Sequence, residues 1–361
     1  MISSKPIKKF QGYVGFRQRV AMSLLSNTPM RIDEIRSDTD SPGLKDFEIS
    51  ILQIAEKLTN GTVIDISYTG TSIVMKPGTL IGGKIIQNCA ISRGLGYYLE
   101  FIISLAPFSK NTTTAILQGV TNNSVDISVD CIRTVTLPLL SKFNINSGIE
   151  LKINKRGAEP LGGGEVKLTF PSVKNISSMV FTDTGYVQKI RGISYSTKVS
   201  PQTANRMVES ARSILNQFTP NIYIYTDVYS GKESGLSPGY GLALVAESTT
   251  GALFSTELCA VAGSTPEDLG KQCANQLLAE INKGGCFDSS HQWLVLLLMV
   301  LSSQDVSKTS FGKLNKFTVD YLRDINTFFN TTFKIQPNSE NDTISMACVG
   351  IGYSNTNKSI A

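Results

Sequence analysis

The sequence predicts an α/β (α+β) protein in which a large domain of repeated βαβαββ-like units carries a small inserted α/β domain. Two observations support this. Helix-like stretches followed by pairs of strand-like stretches recur within the first 170 residues. A second alternating block then interrupts, and the first pattern resumes after Gly284-Gly285. The boundaries read as 1–184 for the first part of the large domain, 185–285 for the insertion and 286–361 for the part that completes the large domain.

The elements follow in order. Residues 47–60 place Ile49, Leu52, Ile54, Ala55 and Leu58 on one helical face, and Gly61 ends the helix. Residues 62–67 alternate as a strand, 68–72 form a turn, and 73–76 make a second strand. Residues 129–143 read as a helix, followed by strands over 149–155 and 165–170. In the insertion, 200–218 is an amphipathic helix with Ala204, Met207, Val208, Ala211, Ile214 and Leu215 inward. Strands over 222–228 and 241–247 and a helix over 266–281 complete it. A helix, a polar loop, a helix over 318–329 with Val319, Leu322, Ile325 and Phe329 inward, and a strand ending near Ile335 follow. The polar tail from Ser354 is expected to fray.

Composition is that of a folded globular chain, 41% hydrophobic and 17% charged. A net charge of +5 permits an anionic partner, but no dense Lys/Arg run exists, so a nucleic-acid surface has to be assembled by folding. The N-terminal stretch has no apolar segment of a secretory signal, and the longest apolar run, Leu294 to Leu301, is too short for a bilayer. A soluble intracellular protein with no membrane association is expected. The six cysteines are scattered without a CxxC pair, which points to reduced, buried thiols and to no zinc site. Gly162-Gly163-Gly164 lacks the Lys-Ser/Thr of a phosphate loop and precedes a strand. Like Gly82-Gly83 and Gly239-Tyr240-Gly241, it reads as a tight turn.

His291 is the single histidine. Its neighbours Asp288, Ser289 and Ser290 suggest a triad, but triad members normally come from separate elements. The better expectation is structural, with Asp288 or Ser289 capping the helix that follows.

Three segments carry a resemblance: Arg156-Gly-Ala-Glu-Pro-Leu-Gly-Gly-Gly-Glu-Val166, Ile35-Arg36 through Pro42-Gly43-Leu44, and Ser237-Pro-Gly-Tyr-Gly through Gly251. In order and spacing the chain from about Phe10 to Gly352 resembles RNA 3′-terminal phosphate cyclases. The resemblance implies ATP-dependent chemistry through a C-terminal nucleophilic histidine, yet the matching region, Phe311 to Phe317, has Lys313 or Leu314 there. Other departures agree. The family's glutamate in the N-terminal Gly-rich loop is gone, and Arg17 and Arg19 are displaced relative to its helix-borne arginine. Arg36 is retained while Thr39 replaces its partner arginine. Phe47 stands for a glutamine, Ser290 for a tyrosine and Trp293 for an aspartate.

The pattern therefore resembles the cyclase-like, non-catalytic branch of the family. That resemblance implies a nucleolar assembly factor for the small-subunit (18S) ribosomal RNA precursor, bound to a ribosome-biogenesis GTPase within the small-subunit processome. It implies no cofactor and no catalytic residue, and a monomer is expected. Arg36, Arg17 and Arg19 are expected at the retained cleft, where guanidinium groups suit RNA phosphate. Arg323 and Asp324 on the late helix are expected as an exposed charged pair that docks a protein partner. The alternative is an enzyme acting on RNA. It would be a residual cyclase using Lys313, or a pre-rRNA endonuclease with carboxylates such as Asp38 and Asp40.

Overall fold

The computed structural model describes residues 5–339 and 341–358. One four-stranded topology is drawn three times, with strands in the spatial order first, second, fourth, third. Unit 1 uses Lys8–Gln11, Met30–Asp33, Val63–Ile66 and Ile73–Lys76, with helices Phe16–Ser26 and Asp46–Leu58. Unit 2 uses Gly83–Asn88, Thr113–Gly119, Glu150–Lys155 and Gly164–Phe170. Its helices are Leu95–Leu105 and the helical stretch 129–143. Unit 3 uses Val180–Phe181, Val306–Phe311, Lys334–Asn338 and Thr343–Val349, with helices Gln292–Leu301 and Lys316–Phe329. In each unit the first two strands are parallel, so a helix must cross between them, and the last two join antiparallel.

Between the first strand and first helix of unit 3, the chain builds a separate sheet in the order Ile222–Tyr229, Val187–Thr197, Gly239–Ser248, Leu253–Cys259. Helices Pro201–Leu215 and Pro266–Asn282 cover one face and enclose their own core, including Ile190, Met207, Ile224, Leu244 and Leu277. The three units share a single larger core. At its centre every residue of Leu95–Leu105 and of Gln292–Leu301 is buried, which is why neither carries an amphipathic stripe; the one charge in the two, Glu100, is paired with Arg17.

Several expectations are corrected. Ile49 is exposed, and the buried face of its helix carries Ile51 with Leu52, Ile54, Ala55 and Leu58. Likewise Val319 is exposed, and Tyr321, Ile325 and Phe328 turn inward. The supposed polar loop before Lys316–Phe329 contains strand Val306–Phe311. The tail does not fray at its start: Asn355 is buried and its amide donates to the carbonyls of Ser109 (2.9 Å) and Val173 (3.1 Å). Residues 359–361 of that tail lie outside the described residues. Among the described residues no helix is long and apolar enough to cross a membrane.

Candidate functional site

A cleft of about 700 Å³ opens where the three units meet the insertion, lined by the Gly12–Gly15 turn, the starts of helices Phe16–Ser26 and Leu95–Leu105, the 123–127 loop and Trp293. Its wall is a ladder of alternating rings and guanidinium groups. Arg36 lies 4.1 Å from the Tyr13 ring centroid and 5.8 Å from that of Phe47. Arg93 lies 5.1 Å from Phe47 and 4.2 Å from Tyr97. Arg17 follows at 4.5 Å from Tyr97 and 5.3 Å from Trp293. Each such contact contributes about 0.5–2 kcal/mol depending on desolvation.

Each of these arginines is already paired. Arg36 meets Glu48 through two bonds of 2.7 and 2.8 Å, and its Nη1 also donates to the Gly43 carbonyl at 3.2 Å. Its backbone is left-handed, φ 49°, an unusual state for a non-glycine residue. Arg93 is forked onto Asp126, which also accepts the Gly94 N–H at 2.8 Å. Arg17 bonds Glu100 and the Tyr97 carbonyl, at 2.7 and 2.8 Å, and Glu100 in turn accepts the Trp293 indole N–H at 3.1 Å. The cleft is thus an aromatic, charge-balanced wall rather than a bed of free cations.

Arg19 points away from this ladder. It bonds Asp324 at 2.7 Å, with side chains only 12% and 13% exposed, and covers the Phe10 ring at 4.7 Å. Asp324 is therefore not half of an exposed pair with Arg323. The helix turns it inward, while Arg323 is exposed and bonds Asp320 at 2.9 Å. Burial lifts the Asp324 carboxyl above its ordinary pKa against the pull of Arg19. Lys313 is not among the residues lining the cleft; it is exposed, 3.4 Å from Asp342.

His291 is locked inside the protein. Its Nδ1 meets Asp288 Oδ1 at 2.5 Å and its Nε2 meets Thr136 Oγ1 at 2.8 Å, while Asp288 Oδ2 accepts the Ser255 hydroxyl at 2.5 Å and N–H at 3.0 Å. The π-helical turn Ile132–Thr136 brings Thr136 there. A hydroxyl–imidazole–carboxylate line exists, but all three residues are buried, and its partners bolt the insertion to the large domain. Burial works against both charges, yet each outweighs it for the other: the His291 pKa is raised and Asp288 is held low. Asp288 also accepts the His291 N–H (3.0 Å), one residue before the helix begins, whereas Ser289 donates to Glu280 instead of capping.

Sequence reasoning missed Arg93, Tyr97, Glu100, Asp126 and Glu257. Glu100 left a local signal, as the one charged residue of the apolar stretch 95–105, but Glu257 left none. Its Oε1 accepts the Ser128 N–H at 2.6 Å, but its Oε2 is shielded and unpartnered among the described residues, and burial pushes the carboxyl up to about 7.

The family model described as RNA 3′-terminal phosphate cyclase matches residues 8–335. The chain belongs to the RNA 3′-terminal phosphate cyclase family. Within that family it is 49% identical to the human RNA 3′-terminal phosphate cyclase-like protein, over 95% of each chain. It is 44% identical to the rRNA processing protein rcl1 of Schizosaccharomyces pombe, over 99% of this chain and all of the relative. It is 38% identical to the rRNA processing protein RCL1 of Saccharomyces cerevisiae over the whole of both. The mixed α/β architecture accords with the cyclase family fold.

Proposed function

We propose that this member of the cyclase family is a non-catalytic assembly factor in ribosomal RNA processing. It acts in the nucleolus on the small-subunit (18S) precursor and binds a ribosome-biogenesis GTPase within the small-subunit processome. One observation carries the reading: in the cleft all three wall arginines are stacked between rings and neutralised by carboxylates. A nucleotidyl-transfer site needs a nucleophile and groups free to meet phosphate. Here neither the sole imidazole, His291, nor Lys313 lines the cleft. The names of the yeast relatives support the processing role.

Within this reading Arg36 meets an RNA phosphate at the rim beside the exposed Tyr13 ring by loosening its fork on Glu48, and Arg93 is the more exposed cleft arginine. Arg17 would likewise have to leave Glu100, and Arg19, outside the cleft lining, would have to leave Asp324. Arg323 is the exposed residue for docking the GTPase, and Asp324 supports the helix beneath it.

The experiment is replacement of the Saccharomyces cerevisiae relative by this chain. Restored small-subunit rRNA maturation is expected. In parallel, labelled ATP with a 3′-phosphate RNA and magnesium should give neither a protein–AMP adduct nor a cyclic end, beside an active cyclase. Failure to restore maturation, or an adduct, overturns the proposal.

A further inference from the structure

The inserted sheet has a second face, and only half of it is covered. Over strands Gly239–Ser248 and Leu253–Cys259 the helical stretch 129–143 lies against it, with Val245 packed on Cys131 and Val135. Farther along, Arg156 reaches Asp227 and lies over the Tyr195 and Tyr229 rings, so the open part of the face is the end that carries Tyr223 and Tyr225. Strand Ile222–Tyr229 forms the edge of the sheet, parallel to Val187–Thr197, in a register that sets Tyr223 beside Arg191 and Tyr225 beside Ile193. Tyr223 and Tyr225 are 50% and 67% exposed, on the same face and about 6–7 Å apart along the strand.

Charge at the Tyr223 end of this strip is unbalanced. Lys189 and Arg191 share one carboxylate, Glu247, at 3.2 and 3.0 Å, and Arg191 Nε has no partner among the described residues. At the far end the charges balance: Arg133 stands 3.6 Å from Asp130, and Arg156 is shared between Asp130 and Asp227.

We propose that this open face is a binding platform for single-stranded RNA, separate from the cleft. Tyr223 and Tyr225 stack successive bases, while Lys189 and Arg191 meet the phosphates. Aromatic side chains on a sheet face flanked by cations are what unpaired bases require, because every base has a ring face and duplex bases do not expose theirs. A peptide adding to the free edge strand would use main-chain bonds and leave the surplus cations unexplained.

The test uses the full chain and a short labelled oligouridine, with an RNA duplex as comparator, read by fluorescence anisotropy. Tyr223→Ala with Tyr225→Ala should weaken single-strand binding roughly tenfold or more, leave duplex binding unchanged, and be rescued by phenylalanine at both positions. Arg191→Gln should flatten the salt dependence of single-strand binding. Thermal unfolding of each variant establishes that the fold is retained. The proposal is overturned if the parent does not bind the single strand, if the double alanine variant binds it as the parent does, or if single-strand and duplex binding fall together. Loss on Arg36→Ala with none on the tyrosine variants would place the RNA in the cleft and likewise overturn it. Because none of these tyrosine-strip residues lines the cleft, failure here leaves the replacement experiment unaffected.

Discussion

Arg156 and Asp130 pair through two bonds, 2.6 and 3.0 Å, with both side chains wholly shielded from solvent. The same guanidinium reaches Asp227 of the insertion at 2.9 Å and lies over the Tyr195 and Tyr229 rings at 4.5 and 5.1 Å. Burial alone would lower its pKa, but Asp130 reverses the sign and raises it.

Arg156→Met should therefore cost about 3–5 kcal/mol, because it strands a buried carboxylate. Asp227, a third exposed, can be rehydrated, so Asp227→Asn should cost no more than about 1 kcal/mol. Urea unfolding followed by circular dichroism separates the two values.

The Asp288–His291 pair gives stability a pH signature. A base raised on folding contributes fully below its unfolded pKa of 6.5 and loses that contribution as pH rises through the folded value. An acid held low contributes fully above 3.8 and loses it as pH falls. The melting-temperature gap between the parent and His291→Gln should be widest between these two values and shrink as pH rises above 6.5. A gap that kept widening above neutrality would contradict the buried ion pair.

Glu257 has the opposite sign. With its carboxyl raised from 4.5 to about 7, folding favours the protonated form, so stability falls as pH climbs between those values. Glu257→Gln keeps an acceptor for the Ser128 N–H and removes the charge. It should stabilise the protein at pH 8 by about 1–3 kcal/mol and have little effect at pH 4.5. Denaturant titrations at the two pH values measure this.

Neighbouring residues 323 and 324 should behave differently. Arg323→Glu should leave stability within about 0.5 kcal/mol and so test docking cleanly by capture of the proposed GTPase partner. Asp324→Ala leaves the mostly buried Arg19 without its carboxylate and should cost about 2–3 kcal/mol. Thermal melts of both variants, run before any binding assay, decide which is usable.

The fold class was legible because periodicity survives wherever a helix or strand has one wet face. Helix Pro201–Leu215 shows it as an apolar stripe, and strand Glu150–Lys155 as a buried Leu151 between exposed Glu150 and Lys152. Strand Val306–Phe311 was hidden because its inward positions include Ser307 and Thr309, whose hydroxyls serve the Met179 N–H and the Phe181 carbonyl. The stretch 129–143 reads as one helix but passes through α, π and 3-10 turns; Pro138 within it lacks an N–H to continue the regular ladder.

Less of the cleft was legible. The resemblance pointed to Arg17 and Arg36, but pairs such as Arg17–Glu100 and Arg93–Asp126 join separate elements, the latter 33 positions apart, a closeness no local pattern encodes. The inward turn of Asp324 was equally hidden. A charged residue on an amphipathic helix ordinarily faces water, and its partner Arg19 lies 305 positions away.

The chain has a single tryptophan, and Trp293 is the last rung of the cleft ladder, 6% exposed, with its indole N–H held by Glu100 and its face under Arg17. The unlabelled protein thus carries one indole fluorophore, placed at its candidate site. An occupant that draws Arg17 off the indole changes the emission of that one residue, and an occupant of the tyrosine strip on the inserted sheet leaves that emission as it was.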